Sequence, residues 1–421
     1  MKVKLKEISY QELQKLKPKP HYKPLKVIYP LRLLVKAVGA VFLSGNHFKC
    51  TKIGMEKLGK DEPCLVLMNH SSFIDLAIVG SVLYPRSFNI VCTQDTFIGK
   101  EWLIRLIGCI STKKFVFEPT LIKDMVYAAK KLNGTVVLFP EAGYSFDGTA
   151  TTLPESTGKL MKLMKVPVVM IRTHGAFLRD PLYNNIQVRK VNVSAEMEYL
   201  LSPEEIAEKS ADELNAIVKE QFTFDELRWQ QENGIRIKEK TRADYLNRVL
   251  YKCPHCLEEG KMNGQGIHIT CKACGKAYEL TELGALKAVE GEAKFTHIPD
   301  WYRWERECVR KELEDGSYSL DVDVDICAIV DTKCIYKIGS GRLTHSTEGF
   351  HLTGCDGQLD YVQKPNASHS LNSDFNWYEL GDIIGIGNEK ILYYCFPKGC
   401  KDVVAKTRLA VEELYKMQKK K

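Results

Sequence analysis

His70 and Asp75 lie five residues apart, directly after the apolar run Cys64–Met68 and before an apolar helix start. Strand ends are where α/β proteins place their sites. A turn between the two residues lets the carboxylate accept the imidazole Nδ1–H, which fixes the tautomer and leaves Nε2 free to take a proton. The pair is a candidate general base, although helix capping or core packing explains most such pairs taken alone.

Three further segments place polar side chains near predicted strands. Val136–Glu141 ends in Phe-Pro-Glu, and Ala142–Ser145 follows it directly. Lys165–Met170 contains another strand start, after a lysine-rich helix, and Gly108–Lys114 places two lysines near a strand. Each segment is a candidate contributor to a site at the strand ends.

In this order and spacing, the segments resemble the motifs of the glycerolipid acyltransferase family, which includes the lysophosphatidate acyltransferases. The first motif, a His and an Asp separated by four residues, is matched by His70–Asp75. The third, Phe-Pro-Glu-Gly-Thr-Arg-Ser, is matched in part by Phe139–Ser145, and the fourth, a Val-Pro-Val strand, by Val166–Val168. The second motif ends in Arg where Gly108–Lys114 ends in Lys. The resemblance covers residues 35–200.

The resemblance implies transfer of a fatty acyl group from acyl-CoA or acyl-carrier protein to the hydroxyl of lysophosphatidate or a related lysophospholipid, in phospholipid biosynthesis. His70 would remove the hydroxyl proton, and Asp75 would orient His70 and stabilise the imidazolium. Glu141 would organise the acceptor pocket, and Gly143 would allow close approach of the backbone. No covalent acyl-enzyme is implied. Polar-loop and core packing account for the remaining candidate nucleophiles, which are Ser71, Ser72 and Cys109.

The third motif departs from the family at Ala142, Gly143 and Tyr144, where Gly-Thr-Arg is usual. The resemblance assigns that arginine to the acceptor phosphate, and Tyr144 cannot supply a fixed positive charge. Either another cation replaces it, or the acceptor presents no phosphate monoester at this position. The candidate cations are Lys113, Lys114 and Arg172.

Four cysteines form two Cys-x-x-Cys pairs, Cys253 with Cys256 and Cys271 with Cys274, separated by fourteen residues. This spacing predicts a zinc ribbon in which four thiolates hold a structural Zn²⁺ and leave no open coordination position. Zinc ribbons often bind proteins or nucleic acids. Because aromatic residues for base stacking are few here, we expect a spacer or a protein-docking role and no nucleic-acid binding.

The chain has 421 residues, a net charge of +7 and 14 cysteines. The length predicts two or three domains, and the cysteines indicate a reducing compartment. The expected division is a basic, amphipathic membrane-interface segment, an acyltransferase domain, a connector with the zinc ribbon, and a β-rich domain, at 1–45, 46–230, 231–284 and 285–421. The expected location is cytoplasmic, peripherally on the inner face of the membrane.

The apolar stretch Val27–Ser44 is interrupted by Pro30, Arg32 and Lys36, and its longest uncharged part is far shorter than a membrane span. Two interpretations remain open. The stretch forms a helix in the membrane interface with Arg32 and Lys36 directed toward lipid headgroups, or it forms a buried core helix.

The first domain is expected to be α/β, with a mixed, largely parallel sheet and helices on both faces. A single helix is predicted at Leu201–Phe222, because Ser202 and Glu205 form a capping box. Helices are also expected at 121–132, 298–312 and 403–417, and short strands at 317–396, in outline a pleckstrin-homology or GRAM superfold. The predicted strands of the first domain are Leu65–Met68, Asn89–Thr93, Thr135–Phe139, Val168–Arg172 and Gln187–Val193.

Two other functions fit parts of the pattern. A non-catalytic scaffold built on a degenerate acyltransferase domain, binding protein or nucleic acid, is favoured by Ala142–Tyr144 and disfavoured by the intact His70, Asp75 and Glu141. Thioester hydrolysis, with water in place of the lipid acceptor, is the second.

Overall fold

The computed structural model describes residues 3–400 and 402–419. The N-terminal residues pack against the C-terminal part of the chain. Strand β1 (Leu5–Glu7) pairs in parallel with residues 335–337, and helix α1 (Tyr10–Gln14) buries Tyr10 and Leu13 in the same core as the C-terminal strands. Residues 5–14 thus pack within the fold through the backbone of β1 and through Tyr10 and Leu13. The membrane-interface role expected for residues 1–45 stays a prediction.

Helix α2 (Tyr29–Leu43) packs across helix α3 (Asp75–Leu83). The crossing is close because two glycines lie at it: a Cβ on Gly39 would come within 2.9 Å of the Ala77 carbonyl oxygen, and one on Gly80 within 2.8 Å of Val35. One side of α2 is thus inside the fold while the opposite side is exposed. Its exposed apolar residues are Leu33, Leu34, Val38, Val41 and Phe42.

No helix in the described ranges combines the length and apolarity that crossing a membrane requires. The two basic residues of α2 contact protein groups. The Arg32 guanidinium donates to the Pro85 carbonyl at 2.7 Å, and the Lys36 ammonium lies 4.2 Å from the Tyr84 ring centre.

The first domain is built on a seven-stranded sheet in the order β2-β8-β7-β3-β6-β4-β5. Every neighbouring pair is parallel except β7 and β8. The central strands are continuous apolar runs because helices cover both faces. The expected mixed, largely parallel sheet is confirmed. Its strands are β2 (Lys49–Ile53), β3 (Leu65–Met68), β4 (Phe88–Thr93), β5 (Cys109–Thr112), β6 (Thr135–Leu138), β7 (Val168–His174) and β8 (Ser194–Leu201).

Two predicted elements of this domain are wrong. The helix expected at Leu201–Phe222 is two helices, because Ser202 and Ser210 each start their own capping box. The strand expected at Gln187–Val193 is irregular, and the pairing with β7 starts at Ser194. The further helices are α4 (Glu101–Leu106), α5 (Pro119–Lys130), α6 (Thr157–Met164), α7 (Ala176–Arg179), α8 (Pro203–Glu208), α9 (Ala211–Gln221) and α10 (Glu226–Glu232).

A small four-stranded sheet carries the cysteine pairs. Its order is β12-β11-β10-β9, and its neighbours are antiparallel. The strands are three or four residues long, and only Cys271 lies within one of them. They are β9 (Met262–Gln265), β10 (His268–Cys271), β11 (Ala277–Leu280) and β12 (Leu286–Ala288).

The C-terminal domain contains helix α11 (Ile298–Glu314), a large sheet, and helix α12 (Val403–Lys419) that packs on α11 and on the sheet. The sheet order is β16-β15-β14-β13-β19-β18-β17, with β1 on β14. A β-rich domain with a closing helix is confirmed, and the outline likeness to the pleckstrin-homology or GRAM superfold stays a prediction. Its strands are β13 (Leu320–Ile329), β14 (Ile335–Ser346), β15 (Gly349–Gly354), β16 (Leu359–Gln363), β17 (Asn372–Trp377), β18 (Gly381–Gly387) and β19 (Leu392–Pro397).

The C-terminal domain contacts the edge of the first sheet where its parallel strands end. Just after β4, the Asp95 carboxylate accepts a hydrogen bond from Trp377 Nε1 at 3.2 Å, and the Gly99 N–H donates to the Thr332 carbonyl at 2.8 Å. Helix α12 reaches the loop that follows β6. The two domains therefore meet at the edge where α/β proteins place their sites.

Candidate active site

His70 and Asp75 are brought together as the sequence predicts. Strand β3 ends at Met68, the chain turns, and Asp75 opens helix α3, so that His70 Nδ1 lies 2.9 Å from Asp75 Oδ2. The same oxygen accepts the backbone N–H groups of Ser71 at 3.1 Å and Ser72 at 3.3 Å. These donors fix the orientation of the carboxylate toward His70. The arrangement leaves the Nε2 side of the ring available for proton transfer.

The imidazole of His70 lies between two aromatic rings. The Phe139 ring centre is 4.4 Å from that of His70, and the Tyr144 ring centre is 4.0 Å away on a similarly stacked plane. Phe73 in turn stacks on Tyr144 at 5.2 Å. Stacked rings limit rotation of the imidazole. Tyr144 is thus next to the candidate base, although it carries no charge.

Glu141 joins the end of β6 to the loop that carries His70. One carboxylate oxygen accepts the His70 backbone N–H at 2.9 Å, and the other accepts the Thr151 backbone N–H at 2.7 Å. The side chain is fully buried, and burial raises the pKa of Glu141 to about 7, against the opposing effect of those N–H donors and of Arg408. Through these two hydrogen bonds Glu141 links the loop after β3 to the loop after β6. Its role in organising the acceptor pocket stays a prediction.

Asp180 is a residue of the site that sequence reasoning missed. It accepts a hydrogen bond from the Ser72 hydroxyl and pairs with Arg179 at 2.8 Å, and Arg179 Nε donates to Asn46 Oδ1 at 3.2 Å. Burial raises the pKa of Asp180 to about 7. Because the Ser72 backbone N–H also donates to the Asp75 carboxylate, these contacts stabilise the turn between His70 and Asp75. The two aspartates are distant in sequence, so no local pattern indicates the contact.

The three predicted cations lie in different settings. Lys113 pairs with Glu118 at 3.0 Å, and Arg172 pairs with two glutamates of β8, Glu196 at 3.3 Å and Glu198 at 2.9 Å. Lys114 is the one that the structure brings to the motif loop: its ammonium lies 5.9 Å from the Tyr144 ring centre. A Cβ on Gly143 would meet only ordinary contacts with the protein at 3.8 Å, and its expected role in close backbone approach stays a prediction.

The four cysteines of the small sheet converge. Their Sγ atoms all lie within 4.8 Å of one another, with Cys253 and Cys274 at 3.8 Å and Cys256 and Cys271 at 3.7 Å. A tetrahedral zinc bound at about 2.3 Å to each sulfur would set the sulfurs about 3.8 Å apart. None of the four is in a disulfide. The residues therefore fit a Cys₄ zinc site.

One comparison with known proteins, against family models, covers the motif positions. Residues 49–173 match the family model described as Acyltransferase, a span that contains His70, Asp75 and Glu141. Among solved structures, the chain is similar to the crystal structure of the 1-acyl-sn-glycerophosphate (LPA) acyltransferase PlsC from Thermotoga maritima, at 19% identity and a TM-score of 0.34, over 45% of this chain and 76% of that chain. No match was found among curated proteins.

Proposed function

We propose that the chain, whose residues 49–173 match the family model described as Acyltransferase, moves a fatty acyl group from a thioester donor to the hydroxyl of a lysophospholipid. The observation that carries the proposal is the buried His70–Asp75 pair at 2.9 Å, held by backbone donors and by two aromatic rings. A degenerate, non-catalytic domain would have no reason to keep this arrangement intact.

The reaction follows from the atoms of the pair. His70 Nε2 removes the proton from the acceptor hydroxyl as its oxygen attacks the thioester carbonyl carbon. Asp75 accepts the Nδ1–H and stabilises the imidazolium, as do the faces of Phe139 and Tyr144. The tetrahedral intermediate collapses with cleavage of the C–S bond, and the proton on Nε2 passes to the departing thiolate. The products are the ester and the free thiol of coenzyme A or of acyl-carrier protein.

We propose lysophosphatidate or a related lysophospholipid as the acceptor, within phospholipid biosynthesis. Tyr144 occupies the position of the family's arginine, so the phosphate needs another cation. Lys114, 5.9 Å from the Tyr144 ring centre, supports this assignment because its side chain is long and its charge is close to the motif loop. Lys113 and Arg172 are engaged with glutamates and are the weaker candidates.

The test is thiol release from a long-chain acyl-CoA and from the matching acyl-carrier protein, with lysophosphatidate, with lysophosphatidylglycerol, or with no acceptor. The variants are His70→Ala and the matched control His351→Ala, whose histidine also pairs with an aspartate at 2.7 Å but lies on the C-terminal sheet. We expect acceptor-dependent release that His70→Ala abolishes and His351→Ala leaves unchanged. Release without any acceptor would indicate hydrolysis. Absence of release with both donors and either acceptor would favour the scaffold alternative.

We also propose that the enzyme works at a membrane surface. Several large apolar side chains of the first domain are exposed: Phe42 and Val41 lie on α2, Trp102 on α4, Phe117 before α5, and Phe73 on Tyr144 next to the candidate site. Large exposed apolar groups are typical of surfaces that contact membranes or proteins. Basic residues along the same N-terminal segment would favour an anionic inner leaflet, consistent with a reducing, cytoplasmic location.

Vesicle co-sedimentation tests the membrane proposal. We expect the wild type to bind vesicles that contain phosphatidylglycerol, and the double variant V41D/F42D to lose most of this binding. The control Val362→Asp changes an exposed apolar residue on β16, away from this surface. Equal binding by wild type and V41D/F42D would contradict a membrane role for α2.

We propose that Cys253, Cys256, Cys271 and Cys274 hold one structural Zn²⁺. When bound, the ion cross-links the two ends of the ribbon, and closed Cys₄ coordination leaves no position for substrate. Elemental analysis is expected to find one zinc per chain in the wild type and none in C271S/C274S. Any protein partner of this protein would bind through the ribbon or the C-terminal domain.

A further inference from the structure

The Arg408 guanidinium of helix α12 is hydrogen-bonded to the loop after β6, which carries Tyr144. Arg408 of α12 donates from Nη1 to the Tyr144 carbonyl at 3.0 Å, and its guanidinium carbon lies 4.4 Å from the Phe146 ring centre. Arg408 is almost fully buried. It therefore contacts both sides of Ser145, in the segment whose Tyr144 ring covers His70.

Buried polar groups on α11, on α12 and near β17 fix the position of the guanidinium. Arg408 Nε pairs with Glu412, one turn later on α12, at 3.3 Å, and Glu412 also pairs with Arg306 of α11 at 2.7 Å. The Ser370 hydroxyl donates to the same carboxylate at 2.7 Å. These partners lower the pKa of Glu412 to about 2 although the residue is fully buried, so the carboxylate is ionised. A buried charge with this many partners defines one position for Arg408.

A cavity lies next to the loop on this side, beside the buried ring of Phe146, which packs on Phe375 at 4.4 Å. The cavity, of about 130 Å³, separates residues 146–151 from α11 and α12, and Arg408 and Glu412 line it. Ala142 has a φ of 53°, a left-handed conformation that costs energy for a residue with a Cβ, so the loop needs support from outside itself. Arg408 lines this cavity and connects α12 to the loop through its hydrogen bond to the Tyr144 carbonyl.

We propose that Arg408 is a positioning residue for the acyl transfer, and that through it the C-terminal domain forms a required part of the catalytic centre. The proposal rests on the proposed function. Arg408 fixes the Tyr144 backbone, Tyr144 stacks on His70 at 4.0 Å, and the stacked ring keeps the imidazole aligned with Asp75. Loss of the Arg408 contact would lower turnover without removing any group that touches substrate.

The test uses the full-length chain and two kinds of variant. R408Q/E412Q removes both partners together, so neither charge is left buried and unpaired, and Arg306 keeps Glu413 at 3.0 Å. Arg310→Gln is the matched control, because Arg310 pairs with Glu413 at 2.8 Å across the same two helices without touching the loop. The readouts are kcat and KM for the acyl donor, and the rate at which diethylpyrocarbonate modifies His70, followed by mass spectrometry.

We expect R408Q/E412Q to lower kcat about 10-fold or more, to leave the donor KM within about 2-fold, and to speed His70 modification several-fold, because the stacked ring loosens. Arg310→Gln should match the wild type in every readout. Wild-type kcat and wild-type His70 modification in R408Q/E412Q would overturn the proposal.

The positioning proposal can be tested separately from the proposed function and from a folding defect. Modification of His70 needs no acyl transfer, so it decides the positioning proposal even where the wild type transfers no acyl group and the proposed function fails. Where R408Q/E412Q does not fold, Arg408→Lys replaces it, since it keeps a cation beside Glu412 but cannot serve both Glu412 and the Tyr144 carbonyl with a planar fork. Faster His70 modification in Arg408→Lys supports the proposal, and an unchanged rate overturns it.

Discussion

Two histidine–aspartate pairs in this protein have nearly the same length and very different surroundings. His70 and Asp75 are 2.9 Å apart, with side chains 17% and 2% exposed, whereas His351 and Asp360 on the C-terminal sheet are 2.7 Å apart and 49% and 74% exposed. Only the first pair has backbone donors on its carboxylate and aromatic rings on its imidazole. Distance alone does not make a catalytic pair, because an exposed charge is screened by water and a buried, oriented one is not.

Exchange of each aspartate for asparagine is expected to give the largest contrast between the two pairs. Asp75→Asn should lower kcat by about 10²–10⁴-fold, because an amide offers one acceptor oxygen in place of two and can turn an N–H toward Nδ1, which sets the wrong tautomer. Asp360→Asn should leave kcat within about 2-fold. Steady-state kinetics with the best donor and acceptor from the thiol-release assay measures both.

Circular dichroism of the two asparagine variants controls for folding. A loss below about 10-fold in a folded Asp75→Asn protein would mean that His70 does not need the carboxylate, and the contrast between the two pairs would then have no catalytic meaning.

The local parts of the site could be predicted from sequence because they are set by short spacings. His70 and Asp75 are joined by one turn between a strand and a helix, and the four cysteines by two hairpins. The sequence also contains a second capping box, formed by Ser210 and Glu213, which starts a new helix and so divides the one predicted at Leu201–Phe222.

The long-range parts could not be predicted. Arg408 and Tyr144 are 264 residues apart, and β1 finds its partner more than three hundred residues along the chain. From sequence, a single arginine in an amphipathic helix is predicted to lie on the solvent-exposed face. The structure shows that Arg408 is buried, because α12 packs against α11. Such contacts depend on how the domains dock, which no local pattern contains.

Glu141 is a further difference between the two pairs, because its buried carboxyl group accepts the His70 backbone N–H and no such group supports His351 among the described residues. At pH 5 the buried Glu141 is protonated, and both of its oxygens can still accept an N–H, whereas Glu141→Gln has one acceptor oxygen and an N–H group in place of the other. One of the two buried backbone N–H groups then loses its acceptor, at a cost of about 1–3 kcal/mol. The unfolding midpoint of the variant should fall by several degrees at pH 5. Thermal unfolding followed by tryptophan fluorescence measures it.

The size of this deficit is expected to depend on pH. The folded-state pKa of Glu141, about 7, lies above the ordinary value of 4.5, so the wild type loses stability as pH rises from 4.5 through 7, and glutamine has no such loss. The gap between the two proteins should therefore shrink by pH 8, by on the order of 3 kcal/mol at most. Asp180 and Asp374, whose pKa values burial also raises to about 7, are present in both proteins and cancel. A gap that stays constant or widens toward pH 8 would contradict a raised pKa for Glu141.

Tyr144 gives the smallest expected effect and separates the ring from the hydroxyl. Tyr144→Phe keeps the ring that stacks on His70 at 4.0 Å and should retain kcat within about 2-fold. Tyr144→Leu removes the aromatic face from the imidazolium, an interaction worth about 1 kcal/mol, so kcat should fall about 5-fold to 10-fold. Phe73→Leu is the control, because Phe73 stacks on Tyr144 and not on His70. Equal turnover in the Phe and Leu variants of Tyr144 would show that the aromatic setting, unlike the carboxylate, does not distinguish His70 from His351.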